Sequence, residues 1–350
     1  MPQYVVMLVK AVLCHSPVSG FKEKVMRLML CRFLRNLVLG LAVATTGLMP
    51  VAMAEAPMAK KQVPGYYRMM LGQFELTVLF DGAFDVDISL MSNATTTELQ
   101  QLLTRNHIDG DKVQTATNVY LINTGKNLVL VDVGCGTLFG PKMGQIMNNL
   151  KAAGYTPEQV DTILLTHMHP DHVGGLVDAG GNMLFPNAKV YASRLESDFW
   201  LSEKNAAEAK SDMLKNAFSK ARSTTAPYRE AKKWQTFSHK DEVVPGIRAV
   251  STSGHTPGHT MFRVKSDDSR FFILGDVVIS HAIQFTRPDV ALEFDVDPKQ
   301  AVLTRYKVFN LAAKYKWMVA GSHLPYPGIG QVRSNGDGTY GWIPVQLTPE

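Results

Sequence analysis

Between positions 167 and 172 the chain reads His-Met-His-Pro-Asp-His, placing three imidazoles and a carboxylate within six residues. This run constrains the fold more than any bulk property. In an extended segment residues i and i+2 face the same way, so His167 and His169 can address one ion together. Pro170 then turns the chain, and Asp171 and His172 begin the next element pointing elsewhere. Two ligands for one ion and two for a neighbour is the natural division. Zinc takes imidazole nitrogen and carboxylate oxygen, usually four ligands in all, so each ion needs partners from distant parts of the chain. The fold must therefore carry other loops back to this one.

Those partners can be sought among acids and histidines that follow short β-rich runs. His255 and His259 lie in Ser-Gly-His-Thr-Pro-Gly-His-Thr, Asp276 in Leu-Gly-Asp, and His323 in Gly-Ser-His. Small residues precede them, and glycine lets a backbone approach an ion closely. His107 and His239 stand in polar stretches and read as solvated, while His281 is either a cavity or a surface residue. Cys135 reads as a small buried residue rather than a ligand.

Strand and helix patterns mix along the whole length. A strand is expected over residues 74–82, ending in an Asp81-Gly82 turn, and a hairpin over 117–136. Helices are expected over 140–155, 195–221 and 298–315, and strands over 160–166, 188–193, 247–254, 271–278 and 317–325. With no linker after Gly65, residues 66–350 read as one α/β domain preceded by a polar flexible arm, 55–65.

The N-terminus is different. Of 36 Lys+Arg and 31 Asp+Glu, six bases and one acid precede position 55, leaving 30 of each afterwards. A neutral remainder argues against nucleic acid or anionic lipid as partner. Arg27, Arg32 and Arg35 precede an uncharged run, 37–54, that ends Ala52-Met53-Ala54. This is the pattern of a secretory signal peptide cleaved after Ala54, which implies a periplasmic or secreted protein with no membrane attachment after cleavage. With Met26 read as the start, the first 25 residues are an over-extension. Cys14 and Cys31 would leave with the leader, so the exported chain could form no internal disulfide.

Taken together, Thr166–His172, Pro257–Thr260, Leu274–Asp276 and Gly321–His323, with Val131–Gly134 upstream, resemble the ordered motifs of the metallo-β-lactamase superfamily. Longer stretches, such as Asn-Leu-Lys-Ala-Ala-Gly-Tyr-Thr-Pro-Glu-Gln-Val-Asp and His-Leu-Pro-Tyr-Pro-Gly-Ile-Gly, are similar to the methyl parathion hydrolase family of exported metallohydrolases. The resemblance implies an αββα sandwich and two divalent ions per subunit, zinc foremost, with cobalt or manganese as alternatives. It implies that His167, His169 and His259 hold the first ion, that Asp171, His172 and His323 hold the second, and that Asp276 bridges them. By the same resemblance His255 and Asp132 support the ligands, and Asp171 and Asp276 take part in catalysis. A homodimer is likewise expected.

Phe139, Trp200, Ile279 and Phe294 fall in segments similar to the relatives' pocket-forming stretches. Phe218 is added from its helix, and His281 from its nearness to Asp276. An apolar mouth over a metal pair suits small neutral substrates. The implied reaction is attack by a metal-bridged hydroxide on a phosphotriester, or on an ester or lactone. A lactonase or arylesterase with side activity on phosphotriesters is the alternative. A non-catalytic periplasmic metal-binding protein is the alternative of another class. Related lactonases often carry tyrosine three residues beyond the bridging aspartate, where this chain has Ile279.

Overall fold

The computed structural model describes residues 24–26, 28–33, 36 and 56–348. Cys14, the apolar run 37–54 and its cleavage point lie outside the described residues. The chain divides into two units, Met1–Gln62 and Val63–Glu350. In the first, residues 24–26 and 28–33 are helical, and residues 56–62 form no helix or strand. Among the described residues no helix is long and apolar enough to cross a membrane.

The second unit is built on two seven-stranded sheets. One contains, in spatial order, β1 (Tyr66–Leu71), β2 (Phe74–Asp87), β4 (Lys112–Asn123), β5 (Leu128–Val131), β6 (Thr162–Leu164), β7 (Lys189–Ser193) and β8 (Trp234–Phe237). The other runs β16 (Tyr340–Pro344), β15 (Ile329–Ser334), β14 (Met318–Ala320), β12 (Ser269–Ile273), β11 (Thr260–Ser266), β10 (Ile247–Ser251) and β9 (Glu242–Val244). A small ribbon pairs β3 (Met91–Ser92) with β13 (Ala291–Leu292). The helices are α1 (Thr96–Arg105), α2 (Ile146–Ala152), α3 (Pro170–Val173), α4 (Arg194–Trp200), α5 (Glu203–Glu208), α6 (Asp212–Glu230), α7 (His281–Gln284) and α8 (Pro298–Tyr315).

Strand alternation decides how these layers stack. Tyr120 and Ile122 of β4 share one apolar cluster with Phe262 and Val264 of β11, the core between the sheets. Val119 and Leu121, one residue out of phase, pack instead with Phe218 and Ala221 of α6. On the far side, Phe272 and Val319 meet Val308, Phe309 and Ala312 of α8. Successive side chains of a strand face opposite ways, so each sheet buries both faces, one on its partner sheet and one on helices. The result is the expected αββα sandwich.

Three local expectations are corrected. Asp81-Gly82 is not a turn: β2 runs on to Asp87 through a register shift between Phe80 and Gly82. Asp81 is buried there, accepting from the Cys135 and Ile146 backbone amides at 2.8 and 3.2 Å. The helix expected over 140–155 is only α2, because Gly140 and Gly144 take φ +82° and +76°, outside helical space. The helix expected over 195–221 is three helices, since the Ser202 and Ser211 hydroxyls accept from Asn205 and Leu214 amides and start new ones.

The loops of interest follow β5, β6, β10, β12 and β14. β5 and β6 are parallel, as are β12 and β14, and two antiparallel steps through β11 make β10 parallel to β12. In open α/β sheets the carboxyl ends of such strands form the binding rim.

Candidate metal centre

Seven side chains meet at that rim. His167 and His169 follow β6, and Asp171 and His172 sit at the start of α3. His255 follows β10, Asp276 follows β12 and His323 follows β14. Three trios have ligand atoms within 4.8 Å of one another: His167, His169 and His255; His167, His172 and Asp276; Asp171, His172 and His323.

The contacts between nitrogens test whether cations fit. His169 Nδ1 lies 3.1 Å from His167 Nε2 and 2.9 Å from His255 Nε2. Three ring nitrogens that close cannot all be satisfied by one another, whereas one cation would use all three lone pairs. His172 Nε2 and Asp276 Oδ1 are 3.3 Å apart, buried, and without hydrogen-bond geometry to any partner. Orphaned buried polar atoms are rare and call for an ion or water. Asp276 also sets Oδ2 3.0 Å from His323 Nε2 and 3.3 Å from His255 Nε2, so it touches both halves of the cluster. Asp171 Oδ2 faces His323 Nε2 at 3.3 Å.

The opposite ring nitrogens are held by the protein. His172 Nδ1 donates to Asp132 Oδ2 at 2.9 Å, His255 Nδ1 to Asp295 Oδ1 at 2.8 Å, and His323 Nδ1 to the Ala116 carbonyl at 2.7 Å. Such bonds fix the tautomer and turn Nε2 inward. Asp132 also accepts from the Thr166 amide and hydroxyl, both at 2.8 Å, and takes φ +61° to do so.

This arrangement exchanges the expected roles of His255 and His259. His259 has no free lone pair for an ion: Nδ1 is 2.8 Å from the Thr252 hydroxyl, and Nε2 accepts from the Asp276 amide at 3.0 Å. It steadies the Asp276 loop instead. Its neighbour Gly275 takes φ +57°, and a Cβ there would strike His259 Nε2.

Burial and the neighbouring carboxylates set the charge on each ring. Burial holds His169 and His259 down at about 3, so both stay neutral. Burial opposes charge on His255 and His323 as well, yet Asp276, helped by Asp295 and Asp171 respectively, pushes them up to about 9 and 10. In the metal-free chain these protons stand where cations would. Both values lie above the ordinary 6.5, so their stabilisation is complete below about 6.5 and is lost as pH rises through 9 to 10. The metal-free protein is therefore expected to lose melting temperature over that range while the metal-loaded protein holds, as calorimetry of both forms would show.

A cavity of about 420 Å³ opens over the cluster. Phe84, Phe139, Met213, Leu214, Ile279 and Phe294 form its apolar walls, with His169, Asp171, His255, Asp276 and His323 at its base. No lysine or arginine lines it among the described residues. Phe139, Ile279 and Phe294 thus stand where they were expected.

Three other expectations are corrected. Trp200 is fully buried behind His169, its ring 5.2 Å away edge-on, in the helix-covered core. Phe218, 2% exposed, packs against Trp200 with ring centroids 4.7 Å apart and tilted by 51°, and does not reach the cavity. His281 is half-buried at the start of α7, outside the lining. Likewise His239 is not simply solvated, because its Nε2 meets the Thr260 hydroxyl at 3.0 Å. The sequence reading missed Asp295, Phe84, Met213 and Leu214. An acid set between Phe294 and Val296 was the available signal for Asp295.

Phe218→Ala is expected to cost about 3–5 kcal/mol of stability, the range for emptying a buried phenylalanine site, with little change in substrate KM. Phe294→Ala should do the reverse. Denaturant titration and steady-state kinetics of both variants check this.

Residues 113–333 match the sequence model described as the Metallo-beta-lactamase superfamily. Among solved structures, the chain is similar to the hydrolase AbOPH in the beta lactamase superfamily: 41% identity, TM-score 0.79, covering 83% of this chain and all of that one. It is also similar to AidC, a dizinc quorum-quenching lactonase solved with the product N-hexnoyl-L-homoserine: 26% identity, TM-score 0.75, covering 83% of this chain and 100% of that one. An N-acyl homoserine lactonase of Bacillus sp is 29% identical over 187 residues, 48% of this chain and 64% of that protein. One from Bacillus thuringiensis is 26% identical over 226 residues, 58% of this chain and 79% of that protein.

Proposed function

Because this chain belongs to the metallo-β-lactamase superfamily, we propose that it is a two-metal hydrolase of small neutral esters, with lactones and aryl esters of carboxylic acids as leading substrates. One observation carries the reading: a five-histidine, two-aspartate donor set at the base of an apolar cavity whose described lining holds no cationic side chain. An anionic substrate would find no lysine or arginine there to pair with, whereas a neutral ester loses little on entering.

His167, His169 and His255 would hold one ion, Asp171, His172 and His323 the other, and Asp276 both. When bound, such a pair lowers the pKa of a water to near neutrality and polarises the ester's oxygen. The chain supplies the rest. Asp132, Asp295 and the Ala116 carbonyl aim three imidazoles. Asp276 offers a buried carboxylate to both halves. The aromatic and aliphatic walls orient the ester's apolar arm and keep bulk water from the base. The lactonase names of several relatives support the carboxylic-ester reading.

Phosphotriesters stand as a second reading, because Ile279 weakens an acyl-homoserine-lactonase assignment without excluding other esters. This residue puts an apolar side chain on the cavity wall where related lactonases often place tyrosine. The test is a panel of lactones, aryl esters and phosphotriesters on enzyme loaded with zinc, cobalt or manganese. At least one neutral class should turn over in a metal-dependent way. Tight metal binding with no turnover of any class would favour the non-catalytic alternative.

We also read the chain as an exported homodimer. Material recovered from outside the cytoplasm should begin at Glu55, and N-terminal sequencing checks this.

A further inference from the structure

Glu196 is the most heavily bonded carboxylate near the centre that the reaction itself does not use. It sits in the first turn of α4 and is 1% exposed. Oε1 accepts from the Met168 amide at 3.0 Å and from Trp200 Nε1 at 2.6 Å. Oε2 accepts from the Thr256 hydroxyl and the Gly258 amide, both at 2.8 Å. The backbones also touch closely: a Cβ on Gly258 would strike the Glu196 amide nitrogen, and the Ser193 hydroxyl, next to α4, donates to the Gly258 carbonyl at 2.8 Å.

These donors are not scattered. Met168 lies between His167 and His169 in sequence, Thr256 follows His255, and Trp200 backs His169 edge-on. These three serve the first trio; the fourth donor, Gly258, precedes His259, whose ring accepts from the Asp276 amide. None belongs to Asp171, His172 or His323.

We propose that Glu196 is a positioning residue that locks the loop after β6 to the loop after β10, and so sets the affinity of the His167, His169 and His255 site while leaving the other site alone. The inference rests on the two-metal reading above. Its physical basis is that four donors converge on one buried carboxylate. A glutamine there would turn an NH₂ toward two of them, leaving donors facing donors with no water to accept. Residues that brace metal ligands typically change affinity by about 10- to 100-fold when replaced.

The experiment titrates zinc into the metal-free full chain against a chromogenic chelator, for wild type, Glu196→Gln, Thr256→Val and Thr256→Ser. Wild type should show two tight sites. Glu196→Gln should weaken one of them about 10- to 100-fold and leave the second within about threefold. Thr256→Val should give a smaller loss at the same site, with Thr256→Ser restoring it, so the test survives a Glu196→Gln chain that does not fold. A merely structural carboxylate would lower melting temperature and leave both affinities alone. Two unchanged sites in the variants, or equal weakening of both, overturns the proposal. Absence of tight zinc in wild type overturns instead the reading on which it stands.

Discussion

Replacing His255 with alanine is expected to reduce tightly bound metal from two ions to about one per chain and to cut kcat/KM at least about 100-fold. Residues bracing a ligand already cost 10- to 100-fold, and a ligand should cost no less. The expectation follows from geometry: Nε2 of His255 is 2.9 Å from His169 Nδ1 and 3.3 Å from Asp276 Oδ2, while Asp295 holds Nδ1. His259→Ala should behave differently. It removes the acceptor for the Asp276 amide, so affinity falls about 10- to 100-fold, but saturating metal should still load two ions. Metal analysis and kinetics of the two variants separate the roles. Full loss of one ion from His259→Ala, with His255→Ala unaffected, would sink the assignment.

Asp276→Asn should have the largest effect on turnover. The side chain is isosteric, so packing is kept, but a buried negative charge shared by three imidazoles is lost. Its oxygens stand 3.0 to 3.3 Å from the Nε2 atoms of His323, His255 and His172. Breaking a buried charge pair costs about 3–5 kcal/mol, which is roughly two to four orders of magnitude in a rate or binding constant. Both metal sites should weaken together, unlike the effect expected from Glu196→Gln. Circular dichroism would check that the fold survives. Two tight ions and activity within about tenfold of wild type would contradict the shared role.

Local signals made much of this readable in advance. The six residues from His167 to His172 carry their own geometry, since a Pro-terminated i, i+2 pair needs no tertiary information. The helix over 298–315 was likewise legible, with Asp297 accepting from Gln300 at the start and Pro298 in the first turn. What failed was whatever depends on contacts far away in sequence. His255 and His259 both follow a glycine in one short loop, and nothing local says which ring faces Asp276. That choice is made by Asp295, 40 positions beyond His255, and by Thr252. Trp200 and Phe218 show the same limit: an aromatic residue on a helix suits either a core or a cavity wall, and only the packing of α4 against α6 selects the core. Asp81-Gly82 has a turn's composition, but distant amides of Cys135 and Ile146 hold it inside a bulged strand.

By this account five histidines and two aspartates from four separated loops form a paired cation site. Elemental analysis of the purified full chain, saturated with zinc and passed through a desalting column, tests this most directly. Two zinc ions per chain are predicted; less than one ion per chain would contradict the account.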